Sequence, residues 1–203
     1  MQMLKNSFIK PVFECNRNCL CSLDCTNRVV QHGVKLKLEI YESPTKGLCL
    51  RTLEHIRCGH FVCQYAGEII SYKEAKKRIL KQTSDSMNYI LVVTEHCASG
   101  PVMTVVDPTH YGNIGRYINH SCTPNLSLLP VRIDITTPVI ALFATRDIEP
   151  YEELSFDYGS SDLIDSPRSE GECKSLDKNM KKCHCQSEQC KGFLPFHADL
   201  FQA

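Results

Sequence analysis

Residues 112–125 read GNIGRYINHSCTPN, and residues 152–159 read EELSFDYG. Both stretches concentrate Asn, His, Tyr and Gly within a few positions, and apolar residues separate these polar side chains. Two shorter segments share this composition: Tyr65–Glu68 and the apolar run that begins at Tyr89. Polar side chains collected at strand ends or turns are typical of a site that carries chemistry. We therefore regard these four segments as the candidate functional site.

The residues in these segments argue against several enzyme classes. No Gly-x-Gly-x-x-Gly or phosphate loop is present, which argues against an enzyme that binds nucleotide phosphates. Glu152 and Glu153 are adjacent and would face opposite ways on a strand, unlike the facing carboxylates of a glycoside hydrolase. Cys122 and His120 could form a nucleophile pair, but nothing suggests a third group to orient them. The tyrosines could also be ordinary core aromatics that form hydrogen bonds at strand ends.

Size and charge restrict the class of protein further. The chain has 203 residues, 42% of them hydrophobic and 23% charged, which fits one globular domain with small appendages. Its 23 basic and 23 acidic residues give a net charge of zero, so we expect no direct sequence-specific binding to nucleic acid. No apolar run approaches the ~18–20 residues of a membrane span, and the N-terminus lacks a signal-peptide pattern. We expect a soluble intracellular protein without a membrane partner.

The spacing of the 13 cysteines predicts zinc. The N-terminal cluster is C-x3-C-x-C-x3-C, and its four thiols could close one site alone or share in a multi-zinc cluster. The C-terminal cluster is C-x-C-x4-C and supplies three thiolates, so a fourth ligand must come from elsewhere in the fold. His184 is poorly placed for this role because it lies between two of the cysteines. The two clusters consist of Cys15, Cys19, Cys21 and Cys25, and of Cys183, Cys185 and Cys190.

The part of the chain between the cysteine-rich N-terminus and the polar linker is β-rich. Residues 61–65, 89–93 and 139–143 are apolar runs of strand length. Residues 160–182 are polar and contain Pro, Gly and Ser, which predicts a flexible linker. The cysteine-rich residues 1–32 have little apolar periodicity, so we expect this segment to need metal to fold.

One helix is predicted after Ser71. Ser71 and Glu74 form a capping box, and Tyr72, Ala75 and Ile79 then recur on one face. The opposite face is basic, and we expect it to be solvated. It carries Lys73, Lys76, Lys77, Arg78 and Lys81.

Residues 119–125, followed later by residues 152–159, resemble the two signature motifs of the SET-domain methyltransferases. The N-terminal cysteines resemble the second half of a pre-SET region, and the C-terminal cluster resembles a post-SET region. The resemblance covers residues 12–197. It implies a mainly β fold of small curved sheets with a knot-like crossing, a few short helices and flanking zinc-binding segments. The implied domains are a partial pre-SET segment (1–32), the SET domain (33–159), the linker (160–182) and a post-SET segment (183–203).

The resemblance also implies the roles of individual residues. Tyr65 and Tyr158 would line the lysine channel, with Tyr158 as the catalytic tyrosine, and Phe156 would leave room for additional methyl groups. Cys122 would be the fourth ligand of the post-SET zinc, beside Cys183, Cys185 and Cys190. The residues that would contact S-adenosylmethionine are Lys46, Gly47, Leu48, Tyr89, Asn119 and His120.

The function implied is methylation of a histone H3 lysine, to the dimethyl or trimethyl state, in the nucleus on the chromosome. The partner would be the H3 tail or the nucleosome. Two alternatives remain: a degenerate SET module that binds chromatin or a protein without catalysis, and a methyltransferase for a non-histone protein.

Two features depart from the family pattern. The cofactor loop usually reads Lys-Gly-Trp-Gly, whereas here Lys46-Gly47 is followed by Leu48 and Cys49. We expect Cys49 to place a Cβ where the backbone needs a positive φ or a close approach to the ligand. The loss of Trp removes a packing surface beside the cofactor. The second departure is that the first half of the pre-SET region is missing.

Overall fold

The computed structural model describes residues 12–82, 87–98, 100–134, 137–159, 181–195 and 200. Its strands and single α-helix are, in chain order, β1 (Val12–Phe13), β2 (Leu38–Ser43), β3 (Gly47–Thr52), β4 (Phe61–Gln64), β5 (Glu68–Ile70), α1 (Tyr72–Leu80), β6 (Leu91–Cys97), β7 (Gly100–Asp107), β8 (Asn119–His120), β9 (Leu126–Arg132), β10 (Val139–Ala144) and β11 (Ser155–Phe156). Two short 3-10 helices span Val30–His32 and Ile114–Tyr117. Most of the predicted linker, including Cys173, lies outside the described residues. No helix in the described part of the chain has the length and apolar character needed to cross a membrane.

The strands form several small sheets. One has the order β1-β9-β10-β4, with β1 parallel to β9 and the other neighbours antiparallel. The second is the antiparallel sheet β5-β7-β6, and β2 with β3 forms a hairpin. The prediction of a mainly β fold of small sheets is therefore confirmed.

The two sequence motifs meet in the parallel pair β8–β11. Asn119 lies opposite Ser155, and His120 lies opposite Phe156. The backbone N–H of Ser121 extends the pair by donating to the Phe156 carbonyl at 3.2 Å. Segments more than thirty residues apart thus run side by side, as the predicted crossing requires.

The helix α1 begins where the capping box predicts. The Ser71 hydroxyl accepts the backbone N–H of Glu74 at 3.2 Å, and the buried Ala75 and Ile79 pack against the β5-β7-β6 sheet. The prediction of a solvated basic face is wrong for Arg78. Its guanidinium lies 2.9 Å from Glu68 and 2.7 Å from the buried carboxylate of Asp107.

Strand β6 begins two residues later than predicted. Tyr89 and Ile90 precede it, and the backbone N–H of Ile90 donates to the Asn88 side chain. The Tyr89 carbonyl accepts the Tyr65 hydroxyl at 2.6 Å. This side-chain hydrogen bond takes the place of a sheet partner, which explains the later start. The predicted strand at 139–143 is confirmed as β10.

The N-terminal cysteine-rich segment has a metal-independent anchor. The Glu14 side chain is buried, and its carboxylate accepts the backbone N–H groups of Val29, Val30 and Gln31 at 2.6–3.3 Å. Val30 then packs against Phe61, Val131 and Phe143 of the four-stranded sheet. Metal is therefore not the only interaction that can order this segment.

Candidate active site

Three aromatic side chains form the centre of the candidate site. Phe156 on β11 is 1% exposed, and its ring centroid lies 5.9 Å from that of Tyr65 and 4.9 Å from that of Tyr158. Tyr65 follows β4 and Tyr158 follows β11, so two separate sheets supply the three rings. The structure thus brings the predicted channel residues together.

Both tyrosine hydroxyls are held by backbone carbonyls. Tyr65 donates to the Tyr89 carbonyl at 2.6 Å, and Tyr158 donates to the Ile118 carbonyl at 3.0 Å. Burial raises the pKa of each phenol above its ordinary value, so both are neutral at physiological pH. Because each hydroxyl hydrogen is already engaged, each oxygen is left as an acceptor for a substrate N–H.

The predicted cofactor loop is fixed by polar contacts to both motifs. The Lys46 ammonium lies 2.7 Å from Glu153 Oε2, which also accepts the Tyr41 hydroxyl at 3.0 Å. The Asn119 side chain donates to the Leu48 carbonyl at 3.1 Å. Lys46, Leu48 and Asn119 therefore lie together, and half of the Leu48 side chain is exposed.

The positive φ expected at Cys49 is absent. The positive φ of the loop, +73°, is at Gly47, whereas Cys49 lies within β3 opposite Tyr41. The Cys49 thiol is fully buried and lies 3.2 Å from the Asn119 side-chain nitrogen. Burial, followed by the nearby Glu153 carboxylate, raises the pKa of this thiol and keeps it neutral. A residue other than Gly is accommodated because the strand is extended there.

The His120 side chain is engaged inside the protein. Its Nδ1 accepts the backbone N–H of Tyr158 at 3.2 Å, and its Nε2 lies 3.4 Å from the Cys122 sulfur. Burial lowers the pKa of this imidazole, so the neutral form dominates at physiological pH. A cofactor contact by His120, which the resemblance implies, would therefore fall to its backbone.

Arg116 belongs to this site and is absent from the residues implied by the resemblance. Its guanidinium carbon lies 4.3 Å from the centre of the Tyr89 ring, and one nitrogen donates to the Thr109 carbonyl at 3.3 Å. Its Nε is buried and has no hydrogen-bond partner among the described residues. A buried guanidinium with a free donor can bind a carboxylate. The sequence signal was an arginine three residues before Asn119, within the candidate segment 112–125.

Four thiols converge at the first motif, which contributes Cys122. The sulfur atoms of Cys122, Cys183, Cys185 and Cys190 all lie within 4.8 Å of one another. The Cys122 and Cys183 sulfurs are 3.9 Å apart. Tetrahedral zinc with Zn–S bonds of about 2.3 Å separates its sulfurs by about 3.8 Å. The four cysteines therefore fit a structural zinc ion.

Three of the four N-terminal thiols also lie close together. Cys15, Cys21 and Cys25 have sulfurs within 4.8 Å of one another, and those of Cys15 and Cys25 are 3.9 Å apart. Cys19 is outside this group, because its exposed sulfur accepts the backbone N–H of Asn16 at 3.4 Å. Zinc at the three thiols would need a further ligand.

A polar groove of about 250 Å³ joins these parts of the site. Lys46 and Glu153 line it on the side of the cofactor loop, and Cys185 and Ser187 line it on the side of the four-cysteine cluster. His120 lies between them. The groove therefore touches the loop, the second motif and the cluster.

Comparison with known proteins identifies the family. Residues 47–159 match the SET domain. The chain is 48% identical over 200 residues to the mouse histone-lysine N-methyltransferase SETMAR, covering 98% of this chain and 65% of the relative. For human SETMAR the identity is also 48%, but the chain spans 28% of that protein. A probable histone-lysine N-methyltransferase of Caenorhabditis elegans, set-23, is 42% identical and 73% covered.

Comparison with solved structures supports the same family. The methyltransferase domain of human SETMAR superposes with a TM-score of 0.82 at 44% identity, covering 96% of this chain and 71% of that one. For Arabidopsis thaliana SUVH6 in complex with SAM, the TM-score is 0.73 at 32% identity, and the match covers 92% of this chain and 39% of that one. For KRYPTONITE in complex with mCHH DNA, H3(1-15) peptide and SAH, the TM-score is 0.65 at 32% identity, and the match covers 91% of this chain and 35% of that one.

Proposed function

Because the chain belongs to the SET-domain family of histone-lysine methyltransferases, we propose that it transfers methyl groups from S-adenosylmethionine to a lysine of histone H3. The observation that carries this proposal is the buried cluster of Tyr65, Phe156 and Tyr158, in which both phenol oxygens keep free acceptor positions. The complexes of related proteins with SAM, SAH and an H3 peptide support the choice of cofactor and substrate.

The proposed cofactor site lies along the loop and the first motif. S-adenosylmethionine, when bound, supplies a methyl group on a positively charged sulfur. The Lys46–Glu153 ion pair and the Asn119 hydrogen bond to Leu48 hold the loop in position before binding. The Arg116 guanidinium lies over the Tyr89 ring, where it could donate to a carboxylate. The residues proposed to contact the cofactor are Lys46, Gly47, Leu48, Tyr89, Arg116, Asn119 and His120.

The aromatic cluster would prepare the lysine. A lysine amine has an ordinary pKa of ~10.4 and must lose its proton before it can act as a nucleophile. Burial among aromatic rings disfavours the charged form and lowers this pKa. The Tyr65 and Tyr158 oxygens would accept the remaining N–H groups, which orients the lone pair of the amine. Because both phenols are neutral, neither is a base, and the lysine proton would leave to water.

Positioning would supply most of the rate enhancement, since no protein group forms a bond to the substrate. The rings of Tyr65, Phe156 and Tyr158 can stabilise a methylammonium product by cation–π contact. Phe156 has no hydroxyl with which to hold a water, so space remains for a second and a third methyl group. We expect dimethyl- or trimethyl-lysine as the product.

The zinc-binding and cellular roles complete the proposal. One zinc ion would tie the C-terminal segment to the site, bound by Cys122, Cys183, Cys185 and Cys190. The N-terminal cysteines would form a second metal site. The substrate partner would be the H3 tail or the nucleosome, which implies a nuclear, chromosomal location.

Mass spectrometry of histone H3 peptides incubated with the zinc-loaded protein and S-adenosylmethionine tests this function. We expect methylated lysine with the native protein and a loss of at least about 100-fold in rate with Tyr158→Phe. Methylation of a non-histone peptide alone would identify a different substrate class. No methylation of any peptide by folded protein would favour the alternative of a binding module without catalysis.

A further inference from the structure

His120 connects the four-cysteine cluster with the aromatic cluster. Its side chain is 2% exposed and lies between the Cys122 sulfur, 3.4 Å from Nε2, and the backbone N–H of Tyr158, 3.2 Å from Nδ1. The imidazole therefore bridges a cysteine of the four-thiol cluster and a tyrosine of the aromatic cluster.

The hydrogen-bond partners determine where the imidazole proton lies. A backbone N–H can only donate, so the N–H of Tyr158 requires Nδ1 to be an acceptor without a proton. The neutral ring then carries its proton on Nε2, which faces the Cys122 sulfur. Asp157 Oδ1 is 3.5 Å from Nδ1, a longer separation, and it already accepts the backbone N–H of Gly159 at 3.0 Å. The Tyr158 end of the ring therefore favours the tautomer with the proton on Nε2, and the Cys122 sulfur can accept that proton.

Metal binding would strengthen this arrangement. A cysteine bound to zinc is a thiolate, which only accepts hydrogen bonds, and a bond from Nε2–H to a charged sulfur is stronger than one to a neutral thiol. Tyr158 is held at its other end as well, because its hydroxyl donates to the Ile118 carbonyl and its ring packs on Phe156 and His120. The hydrogen bond to His120 Nδ1 holds the backbone end of Tyr158.

We propose that the His120 imidazole couples metal binding at the four-cysteine cluster to the position of Tyr158. Without metal, Cys122 is a neutral thiol, which is a weaker acceptor for Nε2–H and can instead donate its own S–H to Nε2, so the orientation of the ring is less firmly fixed. His120 is then a positioning residue for Tyr158. The coupling itself is structural, and only its consequence for catalysis rests on the proposed function.

Hydrogen exchange at the Tyr158 amide measures the coupling without any assay of activity. In the native protein, zinc loading should slow this exchange about tenfold relative to chelator-stripped protein, the effect of one charge-assisted hydrogen bond on a local opening. Amides of α1, which packs on the β5-β7-β6 sheet, should respond little. Equal exchange at Tyr158 with and without zinc would overturn the proposal.

Two variants separate the two ends of the bridge. In His120→Asn the side-chain oxygen can replace Nδ1 as acceptor but cannot reach Cys122, so the Tyr158 amide should exchange equally with and without zinc. In His120→Gln the amide nitrogen can replace Nε2, but the acceptor for Tyr158 is lost, so exchange should be fast in both states. Chelator competition checks that both variants still bind zinc, and His55→Asn at an exposed histidine serves as the control. Native-like zinc dependence in both variants would contradict the coupling.

The tautomer provides a test in the unmodified protein, which applies even where a variant fails to fold. NMR of ¹⁵N-labelled histidine in the zinc-loaded protein should show one buried imidazole protonated at Nε2, and in the cadmium-113 form its proton should couple to the metal through the Cys122 sulfur. A buried imidazole protonated at Nδ1 would refute the bridge. If zinc-dependent protection is found in a protein that methylates nothing, the proposed function fails while the coupling stands.

Discussion

At the scale of the residue, Phe156 is the position that we propose determines the degree of methylation. Its ring is 1% exposed and touches both channel tyrosines, so a hydroxyl added at its edge would enter the channel. We predict that Phe156→Tyr shifts the product from dimethyl- and trimethyl-lysine towards monomethyl-lysine, because the new hydroxyl can hold a water in the space of a second methyl group. Mass spectra of peptides at long reaction times measure this, and an unchanged distribution would show that another residue sets the limit.

Glu153 is the residue on which the cofactor loop depends. It accepts both the Lys46 ammonium and the Tyr41 hydroxyl, and these contacts hold the start of β3. We predict that Glu153→Gln raises the Kd for S-adenosylmethionine about fivefold, which corresponds to about 1 kcal/mol, with a smaller change in kcat. Glu39→Gln is the matched control, since Glu39 pairs with Arg51 on the same hairpin. Equal effects of the two substitutions on cofactor affinity would rule out a specific role for Glu153.

At the scale of the element, helix α1 is attached to its sheet by charge as well as by apolar packing. Hydrogen bonds from Thr109 and Arg78 lower the pKa of the Asp107 carboxyl, although burial alone would raise it. A carboxyl with a depressed folded-state pKa stabilises the protein above its unfolded value of ~3.9, and this stability is lost as the pH falls through the lower folded value.

We therefore predict that Asp107→Asn lowers the free energy of unfolding by about 1–3 kcal/mol at pH 7, and by less as the pH falls below ~3.9. Urea unfolding at both pH values measures the difference. Lys77→Gln on the exposed side of the same helix should change stability by less than about 0.5 kcal/mol. A destabilisation by Asp107→Asn that is independent of pH would contradict the assigned charge interaction.

The N-terminal cysteine-rich segment is the second element for which the structure gives a specific expectation. The Glu14 carboxylate caps the turn at residues 29–31, and Val30 is buried against the four-stranded sheet. We predict that this segment stays docked in chelator-treated protein but becomes sensitive to protease in Glu14→Gln, with a loss of about 1–3 kcal/mol. Limited proteolysis tests both. Cleavage of the native segment on metal removal alone would mean that metal, not Glu14, holds it.

At the scale of the whole molecule, the features that could be predicted from the sequence are those encoded in short motifs. The capping box at Ser71 and Glu74 predicted the start of α1, and the ordered pair of motifs predicted the meeting of β8 with β11. The features that could not be predicted depend on contacts between distant parts of the chain. Arg78 is not solvated because Glu68 and Asp107, on two neighbouring strands, bind it.

Contacts between distant parts of the chain also explain why some features of the candidate site could not be predicted. The start of β6 could not be predicted because the Tyr65 hydroxyl, from another sheet, occupies the Tyr89 carbonyl. The orientation of the His120 ring depends on Cys122 and on the backbone of Tyr158 together. The residue types of the site can be predicted from the sequence. The hydrogen bonds that orient these residues cannot, because they form only in the folded chain.

The measurement that tests the central claim most directly is calorimetric binding of S-adenosylmethionine to the zinc-loaded protein. We predict micromolar affinity that falls at least about tenfold in Asn119→Ala, because Asn119 holds the loop through the Leu48 carbonyl. Asn18→Ala, at an exposed position, should bind as the native protein does. Absence of binding by folded, zinc-replete protein would contradict the claim that this chain is a methyltransferase.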